Sequence, residues 1–184
     1  MLKVKFYGVG GQGIVTAAKV LSIAVSLYEE KFAATVPAYG HERRGAPVYA
    51  DVLIDEKQIR SNSFVYEPDM VVIADDSLID KGVDPGKGAE DGCIFLLSTG
   101  SQERLEKHKN LFGYGQMFYL DAGAVARNTI GLDIPNSAIL GAIAGVGVVS
   151  IEAIEQAIRQ YFGEKAGEKN VRAAREAYQA VRKA

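Results

Sequence analysis

The sequence predicts an α/β fold, Rossmann-like, with a mostly parallel sheet, an antiparallel hairpin insertion and a helical C-terminal third. Three observations lead there. A short apolar-rich strand at residues 4–7 runs directly into a glycine turn and then a helical pattern. Continuous apolar runs recur at 70–74 and 94–98, as in strands covered on both faces. The last third reads as consecutive helices.

The first helical pattern covers residues 14–27, with Val15, Ala18, Leu21 (or Ser22) and Val25 recurring at helical spacing. Residues 32–36 form the next strand, closed by Pro37. Strand, glycine turn, helix, strand is the opening of a doubly wound parallel sheet. Residues 48–54 break that rhythm by alternating apolar with small or polar side chains. Asp55-Glu56-Lys57 follows as a turn, and Gln58-Ile59-Arg60-Ser61 as the returning strand of a hairpin. The rhythm resumes with strands at 70–74 and 94–98. A charged helix at 101–111 has Ser101 as its N-cap, a strand follows at 117–121, and a short helix at 122–128. Pro135 starts a helix ending near Gly145. Ser150 caps a second over 151–162, with Ile151, Ile154, Ile158 and Phe162 on one face. Asn170 caps a third over 171–182, with Ala174, Tyr178 and Val181 as its apolar stripe. With no repeat, low-complexity tract or long linker, residues 1–184 are expected to form one domain.

Charge and composition exclude several classes of function. The 184 residues carry 21 Lys and Arg against 23 Asp and Glu, a formal charge of −2, so no global basic field recruits nucleic acid or an anionic membrane. Hydrophobic content of 48% and charged content of 24% suit a soluble globular protein. The longest apolar stretch, 134–149, is interrupted by Pro135, Asn136, Gly141, Gly145 and Gly147 and is too short to span a bilayer. Residues 1–6 enter a strand at once and lack the apolar core of a signal peptide. The single cysteine, Cys93, lies in an apolar run and reads as a buried small hydrophobe. One thiol forms no internal disulfide and holds no iron–sulfur cluster by itself. A reducing, cytoplasmic location is expected.

Two segments carry chemistry. Gly8-x-Gly10-x-x-Gly13 has the dinucleotide-binding spacing between a strand and a helix. Such glycines permit a tight turn, a close backbone approach and close helix packing, and the amides at the helix N-terminus favour an anion. A dinucleotide also needs an acid at the end of the second strand. Glu29 and Glu30 precede that strand, and its end, Thr35-Val36-Pro37-Ala38, has none. A phosphate or other anion, a protein partner and a purely structural turn stay open as readings of Gly8, Gly10, Gly11, Gln12 and Gly13. The second segment is His41-Glu42-Arg43-Arg44-Gly45-Ala46-Pro47. Adjacent arginines in a loop suit a bidentate grip on a carboxylate, a phosphate or a partner's acid. The plainer reading is a solvated loop in which Glu42 pairs locally with one arginine. His41 has no recognisable serine or cysteine nucleophile with it, and His108, in a Lys-rich helix, reads as solvent-facing. No catalytic set and no metal-ligand set emerges.

Together the segments resemble a known family. Gly8-Val9-Gly10-Gly11-Gln12-Gly13, followed by Thr16-Ala17-Ala18, resembles the opening of the gamma subunit, or gamma domain, of the pyruvate and 2-ketoisovalerate:ferredoxin oxidoreductases. Glu42-Arg43-Arg44-Gly45-Ala46-Pro47-Val48 is similar to that family's second signature, and Glu67-Pro68-Asp69-Met70-Val71-Val72 to its third. Residues 136–145, with Leu140-Gly141-Ala142, resemble its glycine- and alanine-rich helix. The four motifs occur in order over nearly the whole chain.

The resemblance implies a complex that converts pyruvate or a related 2-oxoacid and coenzyme A into acyl-CoA and carbon dioxide, passing electrons to ferredoxin. It implies thiamine diphosphate, Mg2+ and iron–sulfur clusters on partner subunits (alpha, beta and a ferredoxin-like delta), with coenzyme A as co-substrate. This chain lacks a Gly-Asp-Gly and paired-Asn motif (Asp91-Gly92 has no such continuation) and lacks a cysteine series. It is therefore expected to be the gamma component, inactive alone and binding no cofactor alone, which aids assembly and closes the substrate and CoA site. Gly8, Gly10, Gly11, Gln12, Gly13, Glu42, Arg43, Arg44 and Gly45 would contact phosphate, CoA or a partner. Val9 stands where the family motif often has an arginine, which leaves the choice of 2-oxoacid open. The competing readings are a stand-alone Rossmann oxidoreductase using NAD(P) or a flavin, and a non-catalytic module of another complex.

Overall fold

Hydrophobic strands alternating with helices leave few ways to satisfy backbone hydrogen bonds and bury side chains together, and the chain adopts one of them. The computed structural model describes residues 1–38, 44–60, 62–113 and 115–184. In chain order these form β1 (Leu2–Val9), α1 (Ile14–Tyr28), β2 (Phe32–Ala38), β3 (Pro47–Asp55) and β4 (Met70–Ile73). A 3-10 turn (Leu78–Lys81) precedes β5 (Ile94–Ser98), α2 (Gln102–Phe112), β6 (Gln116–Leu120) and α3 (Ala122–Thr129). The chain ends with α4 (Asn136–Val146), α5 (Ile151–Phe162), α6 (Glu164–Ala180) and β7 (Arg182–Lys183). The sheet order is β2-β3-β1-β4-β5-β6-β7. Its core, β1-β4-β5-β6, is parallel, whereas β3 runs antiparallel to both β1 and β2, and β7 antiparallel to β6.

The α/β class and the hairpin insertion are as expected, but the hairpin is built differently. Its arms are β2 and β3, paired from Phe32↔Asp55 to Ala38↔Tyr49. Residues 58–60 form no strand, and Ser61 lies outside the described residues. Strand β3 has hydrogen-bonding neighbours on both sides, and Val48, Ala50, Val52, Leu53 and Ile54 are buried. It needs two partner strands, and the exposed Gln58 and Arg60 could not supply one with a covered face. The strand after α1 therefore runs in the same sense as β1, as a doubly wound opening requires, with β3 inserted between them.

Successive residues of the parallel strands feed two cores. Met70, Val72 and Leu96 face α1 and α3–α6, while Val71, Ile73, Phe95 and Leu97 face α2 and the 3-10 turn. All four residues of β4 are buried, as a strand covered on both faces demands. The helix-rich core includes a close crossing of α4 over α6. A Cβ on Gly141 would lie 1.9 Å from the Ala174 carbonyl oxygen, and one on Gly145 would lie 3.0 Å from that of Tyr178. Buried Ser137 adds a polar tie across the same crossing, its hydroxyl 2.7 Å from Asn170 Oδ1. That tie corrects the expected boundary of the last helix. Asn170 is no cap but sits inside α6, its amide donating to the Ala166 carbonyl at 2.8 Å. The helix stops at Ala180, and Arg182 and Lys183 pair with β6.

On the other face, α2 is capped by Ser101, which accepts from the Arg104 amide. His108 is fully buried rather than solvent-facing. It lies three residues after Leu105 and four before Phe112, so it shares their inward stripe and approaches Phe112 at 6.0 Å between ring centroids. Its Nδ1 bonds the Arg104 carbonyl at 2.8 Å, and its Nε2 has no partner among the described residues. The outer face of β1-β3-β2 carries no helix, and residue 65 is tied to it instead. Buried Asp51 accepts from the Val65 amide at 2.8 Å, and Lys5, 3.3 Å from the other Asp51 oxygen, donates to the Val65 carbonyl at 2.8 Å.

Two outcomes test this packing. Gly141→Ala should destabilise by about 1–3 kcal/mol through overpacking of α4 on α6, read as a lower urea midpoint. Burial holds the His108 pKa below its ordinary 6.5, outweighing the Arg104 hydrogen bond and nearby Asp76, which act upward; Arg104 and Lys107 charges add to the lowering. The stability gained from neutral His108 is therefore complete above the unfolded-state value and lost as the pH falls through the lower folded-state value. His108→Leu should flatten that part of the pH dependence of the urea midpoint.

Candidate functional site

Parallel strands end where helices begin, so side chains with chemistry collect at the carboxyl ends of the strands. Here β1 ends in the turn that precedes α1. Gly8 is required by packing, since a Cβ there would meet Ile14 Cγ1 at 2.4 Å. Gly13 has φ 72, in the left-handed region that favours glycine, and its missing side chain admits Asn136 of α4 to within 2.6 Å of where a Cβ would be. Two of the predicted glycines thus have sufficient structural reasons.

Gln12 closes the turn on itself. Its Oε1 accepts from the Val9 amide at 2.9 Å and its Nε2 donates to Asp75 Oδ2 at 3.0 Å. Asp75 follows β4, so one carboxamide bridges the ends of the two central strands. That crevice, at the point where strand order reverses, is where a doubly wound fold receives a nucleotide. A carboxylate and a fixed side chain occupy it here, and an anionic diphosphate gains nothing from either. Asp76 and Asp121 lie beyond the ends of β4 and β6, bonded to Thr99 Oγ1 at 2.5 Å and the Ala124 amide at 2.8 Å.

The second motif is joined to the first by backbone bonds. The Gly10 amide donates to the Ala46 carbonyl at 2.8 Å, the Gly45 amide donates to the Gly10 carbonyl at 3.2 Å, and Gly10 and Arg44 form a parallel bridge. Lys81 Nζ holds the Gly45 carbonyl at 3.2 Å. A Cβ on Gly11 would stand 4.0 Å from Arg44 Cγ, so the arginine stem passes beside the turn. Glu42 and Arg43, with His41, lie outside the described residues.

A cleft of about 710 Å³ opens beside this junction. Gly10, Gly11, Gly13, Thr16 and Asn136 line it together with apolar Val9, Ile14, Val48, Ile134, Tyr161 and Phe162. Among the described residues, its charged lining residues are Lys19 and Arg44, with no carboxylate. Gly10, Gly11, Gly13 and Arg44 are therefore brought together at one opening. Gln12 and Gly8 brace it from behind, and Gly45 fixes the arginine's backbone.

Sequence reasoning missed Lys19, Asp75, Asn136, Tyr161 and Phe162. Asp75 carried a signal, as an acid just past a central strand. Lys19 carried a weaker one, as a cation three residues after Thr16 on the first helix. The aromatic pair carried none, because only tertiary packing brings the end of α5 to the turn. Among the described residues, no group of three or more His, Cys, Asp and Glu is placed to hold a metal ion. The Cys93 thiol is pushed up to about 11 by burial, with the Asp69 charge adding to it, and is a poor nucleophile or ligand. No helix among the described residues is long and apolar enough to cross a membrane.

Residues 3–180 match the family described as pyruvate ferredoxin/flavodoxin oxidoreductase. The chain belongs to that family. It is 47% identical over 182 residues to the pyruvate/ketoisovalerate oxidoreductases common subunit gamma of Pyrococcus furiosus, covering 97% of this chain and 96% of that one. It is 41% identical over 180 residues to pyruvate synthase subunit PorC of Methanocaldococcus jannaschii, with the same coverage. Among solved structures, pyruvate oxidoreductase subunit PORC of Thermotoga maritima superposes with a TM-score of 0.86 at 31% identity, covering 100% of this chain and 98% of that one. The family resemblance read from the four ordered motifs and the α/β class are both borne out. The relatives matched over nearly their full length are named as subunits of an oxidoreductase.

Removing the Gln12 brace should loosen the turn without unfolding the protein. Gln12→Ala is expected to cost about 1–3 kcal/mol by orphaning the Val9 amide. Hydrogen exchange at Val9 and Gly10 should accelerate, while amides of β4 stay protected.

Proposed function

We propose that this chain is the gamma-type subunit of a pyruvate or related 2-oxoacid:ferredoxin oxidoreductase. In that role it helps assemble the complex and close the substrate and CoA site, while oxidative decarboxylation to acyl-CoA takes place on other subunits. The observation that carries the reading is the near end-to-end match to proteins named as subunit gamma, with 96% of the Pyrococcus furiosus relative covered. The glycine turn and the Arg44 loop, joined as one edge at the end of β1, are the surface that faces the neighbouring chains.

The reading places thiamine diphosphate, Mg2+ and iron–sulfur clusters on the alpha, beta and ferredoxin-like delta subunits. The single buried Cys93 cannot furnish a cluster's ligands, which is in keeping with that division. What this chain does chemically is position and exclude. A rigid loop edge set against a reaction chamber keeps water out and fixes a co-substrate without donating a proton or electron pair. Residues 1–184 act in this reading as one domain.

Reconstitution tests it. The partner subunits without this chain should show little CoA-dependent pyruvate oxidation, and adding the purified chain should restore it. The chain alone should turn over neither pyruvate nor another 2-oxoacid. Full activity from the partners alone would reject the assignment.

A further inference from the structure

We propose that the cleft beside the glycine turn seats an acidic, apolar segment of a partner subunit, with Lys19 and Arg44 gripping its carboxylate. The proposal rests on the gamma-subunit reading and names the chemistry of the partner at that site.

Charge is the first argument. The lining contains two cations and no acid, and neither Lys19 nor Arg44 forms an ion pair among the described residues. Nine of the other eighteen described Lys and Arg residues are held in ion pairs. Lys107 and Arg104 share Asp80, Arg159 holds Glu168, and Arg127 holds Asp133. Two cations without an ion-pair partner among the described residues, set beside an apolar wall, suit an anion that brings apolar surface with it.

Part of the turn's backbone is already engaged within the protein. A phosphate cradle is made of free backbone amides at a glycine turn. Here the Val9 amide is taken by Gln12 Oε1, the Gly10 amide by the Ala46 carbonyl, and the Gln12 amide by the Val9 carbonyl at 3.2 Å, while the first amides of α1, after the uncapped Gly13, stay open. The Arg44 guanidinium stands beside that turn, and a guanidinium matches a carboxylate through two parallel hydrogen bonds.

The walls supply the third argument. Tyr161 is 42% exposed at the rim, edge-on to Phe162 with centroids 5.0 Å apart, and Ile134 and Val48 continue the apolar lining. An exposed aromatic flanked by cations is the composition of an interface anchor.

The test measures binding of the labelled chain to the remaining subunits, at low and high salt, alongside the CoA KM at saturating chain. For Lys19→Glu combined with Arg44→Glu, the assembly Kd should rise by about tenfold or more at low salt, with the parent's salt dependence lost and the CoA KM changed less than about twofold. A CoA KM raised with Kd unchanged would assign the cleft to a phosphate ligand and overturn the proposal, as would no change in either. Should the parent chain fail to assemble at all, it is the subunit reading that falls. If the double variant does not fold, Lys19→Gln and Arg44→Gln singly take its place. A photo-crosslinking residue at position 161 in the parent complex gives a second readout. The captured peptide must come from a partner subunit and contain Asp or Glu, and one containing neither overturns the proposal.

Discussion

Two backbone hydrogen bonds of Gly10, to Ala46 and from Gly45, determine where the second motif meets the first. They fasten a loop more than thirty residues downstream to the end of the first strand, and so carry Arg44 to the turn. The bonds are possible because β3 is inserted next to β1, with Val9 paired to Pro47 at the end of the ladder. Were β1 flanked by β2, as in an ordinary doubly wound sheet, the second motif would start from another strand end. The site is thus a consequence of strand order.

That order also converts a nucleotide-style turn to another use. The Gln12–Asp75 bridge fills the crevice between β1 and β4. The amides of Val9, Gly10 and Gln12 are engaged within the loop or by Ala46, and the open cleft lies on the far side of the turn. There the lining is cationic and aromatic, as suits contact with another macromolecule. In the proposed role, the contribution of this chain is geometric.

Much of this was legible in the sequence, and the exceptions have physical causes. The apolar runs at β4 and β5 and the Ser101 and Ser150 caps announced themselves because their signals are local. The hairpin was foreseen but given the wrong partner, because alternation marks a strand without saying what lies beside it. Asn170 was misread because the same amide that caps a helix can bond back into one when a buried hydroxyl, Ser137, waits for it. His108 was placed outside by its lysine neighbours, although its spacing from Leu105 and Phe112 put it inside. Of the site, the glycine turn and Arg44 were readable as motifs. Lys19, Tyr161 and Phe162 were not, since nothing in the chain says that α5 ends against α1's first turn.

In the proposed role the first crossover is closed to nucleotides and serves as a contact surface. Calorimetric titration of the purified chain with NADH, NADPH and FAD tests it most directly. The expected result is no saturable heat for any of the three. Stoichiometric binding at micromolar nucleotide, lost on substitution in the Gly8–Gly13 turn, would contradict it.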